Sequence, residues 1–272
     1  MKKKSYNKLS LEDEENIIKY YYNKTNFKDI SNILNLSERS VSRVLRESGI
    51  NTRLKGRYII SNENYFKTID TEFKAYILGF MYADGYIGNH NEIIISLSDK
   101  VDDNYKILNR LKEEIGCSKE IRHGYNLNDK NYGKWTFTIV NKTIWNDLYK
   151  LGLYPNKSLT MEYFPNIKEE LLNHFIRGYF DGDGSTYSYM DTYDNRFRYG
   201  LEIMGTEKFL DKMQNILVYK CSVKKTKLHI SHPSEITRIS YKGIKSIIKI
   251  RNYLYLNANI FIEYKHNKMY EI

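Results

Sequence analysis

The chain has 272 residues and a mass of 32.5 kDa, enough for one large or two unequal domains that bury a core without disulfide or metal staples. Its 43 Lys and Arg against 33 Asp and Glu give a net charge of +10, which favours a polyanion or an acidic surface as partner. Having two cysteines, no apolar run of membrane-spanning length and no signal-peptide pattern argues against a disulfide framework, a membrane protein and a secreted protein. We therefore expect a cytoplasmic protein encoded by a bacterium, a phage or an organelle.

The first 57 residues are strongly basic and helical in pattern, with 13 basic and 7 acidic side chains. Ser10 and Asp13 form a capping-box pattern, which opens a helix that runs to about Tyr22. Asn35 suits the left-handed conformation of a short turn, and Ser37 is a good N-cap for a last helix over residues 38–47. Apolar residues at helical spacing indicate a further helix between these two: Ile30, Ile33 and Leu34.

The last of these three helices separates apolar from basic residues. Val41, Val44 and Leu45 share one face, and the residues left outside it are Arg39, Ser40, Ser42, Arg43 and Arg46. Three short helices with a basic third helix are typical of a helix-turn-helix, whose last helix enters the major groove of DNA. The segment resembles the helix-turn-helix modules of transposases and resolvases, so we expect Arg39, Ser40, Arg43 and Arg46 to contact DNA. A plain three-helix bundle with a solvated basic face is the alternative.

Residues 51–70 begin polar and basic, which predicts a linker. Arg53 in this stretch would follow a phosphate backbone or a minor groove, although an ordinary solvated linker explains the composition equally well. The predicted organisation is a DNA-binding module at 1–57, a linker at 58–70 and a body from residue 71 onward.

The body contains an internal repeat, because residues 75–85 match residues 174–184 at a displacement of 99 residues. The matches continue through a strand ending near residue 98 or 204, a helix at 101–115 or 207–217, and a second alternating strand at 135–139 or 236–240. Each half therefore has the pattern helix, two strands, helix, two strands, helix. This predicts an α+β fold of two pseudo-symmetric αββαββα repeats, at 71–160 and 161–272.

The repeated segment carries small residues four positions apart, Gly79 and Ala83 in the first copy and Gly178 and Gly182 in the second. Residues at this spacing share one helix face. Because glycine inside a helix costs about 1 kcal/mol relative to alanine, its repeated use calls for a packing reason. We expect the two helices to approach closely along these faces.

Each of these helices ends in Asp-Gly, so Asp84 and Asp183 would lie at neighbouring helix C-termini, with Gly85 and Gly184 as terminators. Two converging carboxylates repel each other unless a divalent cation lies between them, and their hard oxygen atoms suit Mg²⁺. The arrangement fits metal-assisted phosphodiester hydrolysis. The alternative is a pair of helix-ending turns in a domain that has lost catalysis.

Residues 77–85 and 176–184 resemble the two motifs of a monomeric LAGLIDADG homing endonuclease, and the resemblance extends over nearly all of 71–272. It implies that Asp84 and Asp183 are catalytic and bind Mg²⁺, with Mn²⁺ as a substitute. The sixth motif position, often acidic in the family, is Asp181 in the second copy but departs from the pattern as Tyr82 in the first. The basic module at 1–57 lies outside the family core.

The resemblance also implies a lysine close to each metal-binding acid. Lys157 stands at the family's usual place after the third helix, and Lys265 lies in a second, strand-like stretch near the end of the chain. The alternative is two exposed lysines in a lysine-rich protein.

In this family the strands form a concave saddle over double-stranded DNA, so side chains on one strand face would read the target. A solvated sheet edge is the alternative for each. The candidates in or beside predicted strands are Tyr86, Arg122, Lys134, Tyr187, Tyr189, Arg196, Arg198, Lys224, Lys225, Lys227 and Arg238.

Two other groups of residues carry simpler predictions. Cys117 and Cys221 fall at equivalent repeat positions and are expected to be buried thiols. His229 and His232 have no further Cys or His cluster near them, which disfavours zinc.

The leading hypothesis is a site-specific double-strand DNA endonuclease, encoded inside a mobile intron or standing free, that acts as a monomer because one chain supplies both motifs. A non-cleaving regulator or an intron RNA maturase is the second hypothesis. An intein is disfavoured, because the chain shows neither a Cys or Ser at its start nor an Asn at its end.

Overall fold

In the computed structural model the described residues are 9–23, 25–50, 58–100, 102–126, 129–231 and 236–272. The chain divides into two units between Tyr58 and Ile59. Arg53 and His232 lie outside the described residues. Within the described ranges, no helix has both the length and the apolar character needed to cross a membrane.

The N-terminal unit has the three predicted helices, α1 (Leu11–Tyr22), α2 (Phe27–Ile33) and α3 (Glu38–Glu47). Ser10 and Asp13 form the expected capping box, in which each side chain accepts a hydrogen bond from the backbone N–H of the other. Asn35 has a φ of 52°, and Ser37 caps α3 through the N–H of Ser40. The three helices enclose one apolar core: Ile17, Phe27, Ile30, Leu36, Val41, Val44 and Leu45.

The body follows the predicted αββαββα order twice. The first repeat contains α4 (Glu72–Ala83), β1 (Tyr86–Ile87), β2 (Glu92–Ser98), α5 (Asp102–Glu114), β3 (Arg122–Asn126), β4 (Asp129–Val140) and α6 (Lys142–Lys150). The second contains α7 (Leu172–Asp183), β5 (Gly184–Asp191), β6 (Arg196–Gly205), α8 (Glu207–Cys221), β7 (His229–Ser231), β8 (Ile236–Tyr241) and α9 (Ile244–Tyr255). An additional helix, α10 (Glu263–Tyr270), follows the second repeat.

Each repeat forms one antiparallel four-stranded sheet, in the orders β1-β2-β4-β3 and β5-β6-β8-β7. The register places Ile95 opposite Phe137 in the first sheet and Ile203 opposite Ile239 in the second, and all four are buried. Since side chains alternate along a strand, the residues next to these four in their strands lie on the other face of each sheet, the open face.

The two repeats join through α4 and α7, as the small residues predict. A Cβ atom at Gly79 would lie 1.9 Å from the carbonyl oxygen of Phe175, and one at Gly178 would lie 1.9 Å from that of Tyr76. The helices therefore touch backbone to backbone, which only glycine allows at these two positions.

The glycines after the two aspartates have a different role from the predicted one. Neither Gly85 nor Gly184 has the positive φ of a left-handed helix terminator, and Gly184 has a φ of −90°. A Cβ at Gly85 would lie 2.7 Å from the carbonyl oxygen of Met81, and one at Gly184 would lie 2.5 Å from that of Phe180. Each glycine is required because the chain leaves the helix close against its last turn.

The predicted linker at 58–70 is wrong from residue 59 onward, because this segment is part of the body. Ile60 pairs with Cys117, and the N–H of Ser61 donates to the carbonyl of Gly116 at 3.2 Å. Tyr65 and Phe66 are 3% and 2% exposed. The linker prediction rested on the polar residues at the start of the stretch and gave no weight to these two aromatic residues, which anchor the segment beside the end of α5.

Candidate active site

Asp84 and Asp183 lie at the C-terminal ends of the two crossing helices, as predicted. Asp84 caps α4, and Asp183 is the last residue of α7. A Cβ atom at Gly182 would lie 2.4 Å from Cβ of Ala83 and 3.1 Å from Oδ2 of Asp84. The small residues before the aspartates thus let the two carboxylates converge. Asp84 is exposed, and Asp183 is partly buried.

The fold makes both carboxylates harder to ionise. Desolvation raises the pKa of Asp84, and the positive charges of Lys157 and Lys265 partly oppose this rise. Desolvation and then the neighbouring Asp84 raise the pKa of Asp183 to about 6. Like charges at close range and removal from water both disfavour the ionised form, so this pair favours a cation between or beside its oxygens.

Two lysines approach the ends of the same helices. Lys157, in the 3₁₀ turn Lys157–Leu159, is 5% exposed, and its Nζ donates to the carbonyl of Ala83 at 3.3 Å. Nζ of Lys265 donates to the carbonyl of Gly184. Burial lowers the pKa of both ammonium groups, and the nearby aspartates oppose that effect. The alternative of two freely exposed lysines is therefore wrong.

The local structure around Lys265 differs from the sequence prediction. Lys265 lies in helix α10 and not in a strand. Ile262 and Tyr264 are β-forming residues, but the stretch begins a helix, and the N–H of Ile262 binds Asp181 near the end of α7. Tertiary contacts therefore decide its conformation, over local propensity.

A cavity of about 300 Å³ opens beside the aspartates. Tyr179, one turn before Asp183 on α7, lines it and donates its hydroxyl proton to the carbonyl of Met204 at 2.8 Å. Desolvation, and the proximity of Asp183, raise the pKa of Tyr179. The only sign of this residue in the sequence is its position four before Asp183, which places it on the same helix face. The other lining residues are Tyr82, Ala83, Asp84, Ser158, Met161, Asp183, Met204, Gly205, Thr206 and Ile236.

The donor set fits a hard divalent cation better than zinc. Among the described residues no group of three or more His, Cys, Asp or Glu side chains could hold a metal ion. Asp84 and Asp183 would therefore provide the protein's carboxylate ligands, with water and substrate oxygens completing the shell, as is usual for Mg²⁺. Cys117 and Cys221 are buried free thiols, as expected, and burial raises the pKa of each.

Comparisons with known proteins agree with this architecture. No protein-family model and no curated protein matches the sequence. Among solved structures, the I-LtrWI LAGLIDADG homing endonuclease bound to target DNA matches with a TM-score of 0.50 and 12% identity, over 77% of this chain and 88% of that one. Meganuclease I-SmaMI bound to uncleaveable DNA with a TTGT central four matches with a TM-score of 0.51 and 13% identity, over 75% and 88%. The homing endonuclease I-WcaI bound to its DNA recognition sequence matches with a TM-score of 0.50 and 15% identity, over 76% and 91%.

The chain has the LAGLIDADG homing endonuclease fold. At these identities the similarity establishes the fold, and the chemistry rests on the residues present.

The first LAGLIDADG repeat brings its predicted DNA-contacting residues to one face. Tyr86 pairs with Ile94, Arg122 with Thr136 and Lys134 with Ser98, and these register positions all belong to the open face. Tyr86, Arg122 and Lys134 are exposed. They therefore form one basic and aromatic surface, as the sequence predicted.

The second LAGLIDADG repeat does the same with more charge. Tyr187, Tyr189, Arg196, Arg198 and Arg238 share the open face of its sheet by strand alternation. Glu202 lies among them and accepts from the hydroxyl of Tyr187 at 3.2 Å and from Nη1 of Arg238 at 3.3 Å. Arg198 is held at the hairpin by Asp191 at 3.1 Å and Asp194 at 2.5 Å. The surface is thus partly preorganised by its own acids.

Three predicted contacts outside the strands have other outcomes. Lys225 is exposed and pairs with Asp211 of α8 at 2.6 Å, so an acidic side chain partly neutralises the charge that the sequence predicted to be available to DNA. An acidic partner fourteen residues upstream was not visible as a neighbour in the sequence. Lys224 and Lys227 are exposed in the coil before β7.

In the N-terminal unit, Arg39, Arg43 and Arg46 are exposed along α3, and Arg43 pairs with Glu47 at 2.9 Å. Ser40 is 6% exposed, and its hydroxyl lies 2.8 Å from that of Ser37. The prediction that Ser40 faces DNA is therefore wrong, because it lies under the N-cap of its own helix.

Proposed function

We propose that this chain is a site-specific double-strand DNA endonuclease of the homing type, which hydrolyses phosphodiester bonds with a divalent cation, Mg²⁺ or in its place Mn²⁺. The observation that carries the proposal is the convergence of Asp84 and Asp183 at two helix ends, each with a lysine close by. A domain that had lost catalysis would have no need to keep two mutually repelling carboxylates there.

The residues divide the chemistry among themselves. Asp84 and Asp183 would hold the cation through their carboxylate oxygens, which must be deprotonated to do so. When bound, the cation neutralises phosphate charge and lowers the pKa of a coordinated water. Lys157 and Lys265 would stabilise negative charge on the scissile phosphate or polarise the attacking water.

The open faces of the two sheets would bind the double helix, as the solved relatives are described with bound DNA. Arg122 and Lys134 in the first repeat, and Arg196, Arg198 and Arg238 in the second, supply cationic groups for phosphates and base edges. The aromatic groups on these faces are Tyr86, Tyr187 and Tyr189. Because the two faces differ in sequence, the target would be long and imperfectly palindromic.

One chain carries both repeats, so we propose that it acts as a monomer. Sedimentation of the free protein checks this. A stable dimer without DNA would contradict it, because one subunit already supplies both carboxylates.

The direct experiment uses DNA from the protein's own locus, with and without Mg²⁺, followed by mapping of any new ends. We expect cleavage of both strands at one position, only with the cation. The Asp84→Asn, Asp183→Asn double variant, prepared identically, controls for contaminating nuclease. Specific binding in Ca²⁺ without cleavage in Mg²⁺ or Mn²⁺ would instead favour a non-cleaving regulator or an intron RNA maturase.

The N-terminal unit is proposed as an accessory DNA-binding module that uses α3. In the full chain, Arg39→Ala with Arg46→Ala should flatten the slope of log K against log salt by about 1.8, since each phosphate contact contributes about 0.9. Lys28→Ala removes an exposed charge from α2 and serves as the control. An equal change in the control would mean that α3 has no special role.

A further inference from the structure

The sixth motif residues, Tyr82 and Asp181, differ chemically but occupy equivalent places. Each is almost fully buried, at 1% and 2% exposure. Each also hydrogen-bonds to the segment that carries the lysine of its own repeat. In one repeat the side chain donates, and in the other it accepts.

Asp181 binds the start of α10. Its carboxylate accepts from the backbone N–H of Ile262 at 2.8 Å, from the hydroxyl of Tyr255 at 2.5 Å and from that of Tyr76 at 2.8 Å. Ile262 is the N-cap of α10, and that helix has no side-chain cap of its own. A carboxylate at a helix N-terminus stabilises it, so Asp181 takes the place of the missing cap. Lys265 follows within the first turn.

Tyr82 binds the end of α6. Its hydroxyl donates to the carbonyl of Leu151, six residues before Lys157. The next residue, Gly152, has a φ of +93°, and a Cβ atom there would lie 2.3 Å from the Tyr82 hydroxyl oxygen. The chain therefore turns over this phenol, and only glycine permits that approach.

Each lysine in turn binds a backbone carbonyl at the end of the helix that carries Tyr82 or Asp181. Nζ of Lys157 binds the carbonyl of Ala83, next to Tyr82, and Nζ of Lys265 binds that of Gly184, three residues after Asp181. We propose that Tyr82 and Asp181 are positioning residues, which hold Lys157 and Lys265 respectively against the helix ends that bear the catalytic aspartates. The consequence for cleavage rests on the proposed function, whereas the positioning itself does not.

Lysine acylation tests the positioning without DNA or metal. The protein is treated with an acetylating ester, and modification of each lysine is followed by mass spectrometry, with the exposed Lys208 as reference. Asn at position 181 can still accept a hydrogen bond but lacks the charge that strengthens it, which eases local opening, so Asp181→Asn should speed modification of Lys265 about tenfold. Modification of Lys157 should not change. Tyr82→Phe should give the converse.

Two further variants separate positioning from other effects. Ile262→Pro deletes the N–H donor but keeps the Asp181 charge, and the φ of −80° at Ile262 is one that proline adopts. It should reproduce the selective gain at Lys265. Ile139→Ala truncates the first sheet's core and controls for general destabilisation. If Asp181→Asn speeds both lysines equally, as this control would, the proposal is overturned.

A double-mutant cycle tests the consequence for cleavage. In single-turnover reactions Asp181→Asn should slow cleavage about tenfold in the natural background and not at all in Lys265→Met. Affinity in Ca²⁺ should stay the same. Equal losses in both backgrounds would mean that Asp181 does not act through Lys265. If the natural protein does not cleave, the proposed function fails, and acylation still decides the positioning.

Discussion

The two repeats match where their helices cross and differ in the residues around the two aspartates. Gly79 and Gly178 make the same contact, with the same 1.9 Å limit on a Cβ atom. Asp84 and Asp183 occupy equivalent positions at the ends of α4 and α7. Asp183 has Tyr179 beside it, whereas the first repeat has Phe80 at the corresponding position. Exact backbone geometry is needed at the shared axis, whereas each lysine can be held by any local structure that delivers its ammonium group.

The largest effect should come from the residues that match. Asp84→Asn and Asp183→Asn should each lower cleavage of both strands by roughly 10³-fold or more, since each removes a charge from one shared cation site. Affinity in Ca²⁺ should survive, because phosphate and groove contacts supply most of it. Gel assays of nicking and double-strand cleavage measure both strands. Asp70→Asn, an exposed aspartate paired with Lys74, is the control and should cleave normally.

A variant that keeps full cleavage would remove that aspartate from the site. A variant that still nicks one strand would show that the two aspartates serve separate cations.

The matched glycines should show the next largest effect, on stability. Gly79→Ala and Gly178→Ala should each cost at least about 3 kcal/mol, the upper end for overpacking, because the new Cβ would meet a backbone oxygen. Gly124→Ala, where a Cβ meets nothing within 4 Å, is the control. Urea unfolding measures all three. A much smaller cost at one glycine would mean that the crossing is not symmetric.

Substituting each lysine should show what each repeat contributes to the cleavage rate. Lys157→Met and Lys265→Met should each slow single-turnover cleavage by about 10²-fold, the lower end for a group that assists proton transfer or phosphate charge. Lys208→Met, in an exposed pair with Glu162, should have no effect. Strand-resolved assays show whether each lysine serves one strand. A full rate in either variant would remove that lysine from the mechanism.

The sequence predicted what repeats and what is local. The 99-residue displacement identified both aspartates and the element order, and the capping box of Ser10 was visible in the chain itself. Prediction from the sequence failed where contacts between residues far apart in the chain decide the local structure. Lys225 pairs with Asp211, and Lys265 lies in a helix whose first N–H binds Asp181. Asn62 and Tyr65 bind the end of α5. Tyr82 looked like a departure from the motif because its partner, a backbone carbonyl, leaves no mark in a sequence.

The smallest predicted effect is the contribution of Asp183 to the pH dependence of stability. An unfolded Asp titrates near 3.8, and the fold raises the pKa of Asp183 to about 6, so between these values the folded state binds more protons. Stability from this group is therefore lost as the pH rises through that window. Asp183→Asn should stabilise the protein at pH 7 by about 1–2 kcal/mol after allowance for solvent screening, and should flatten the profile between pH 4 and 6. Asp70→Asn should act in the opposite direction, because hydrogen bonding to Lys74 lowers the pKa of Asp70. Thermal unfolding across this pH range measures both variants. If Asp183→Asn were less stable than the natural protein at pH 7, the ionised carboxylate of Asp183 would not be destabilising the folded state.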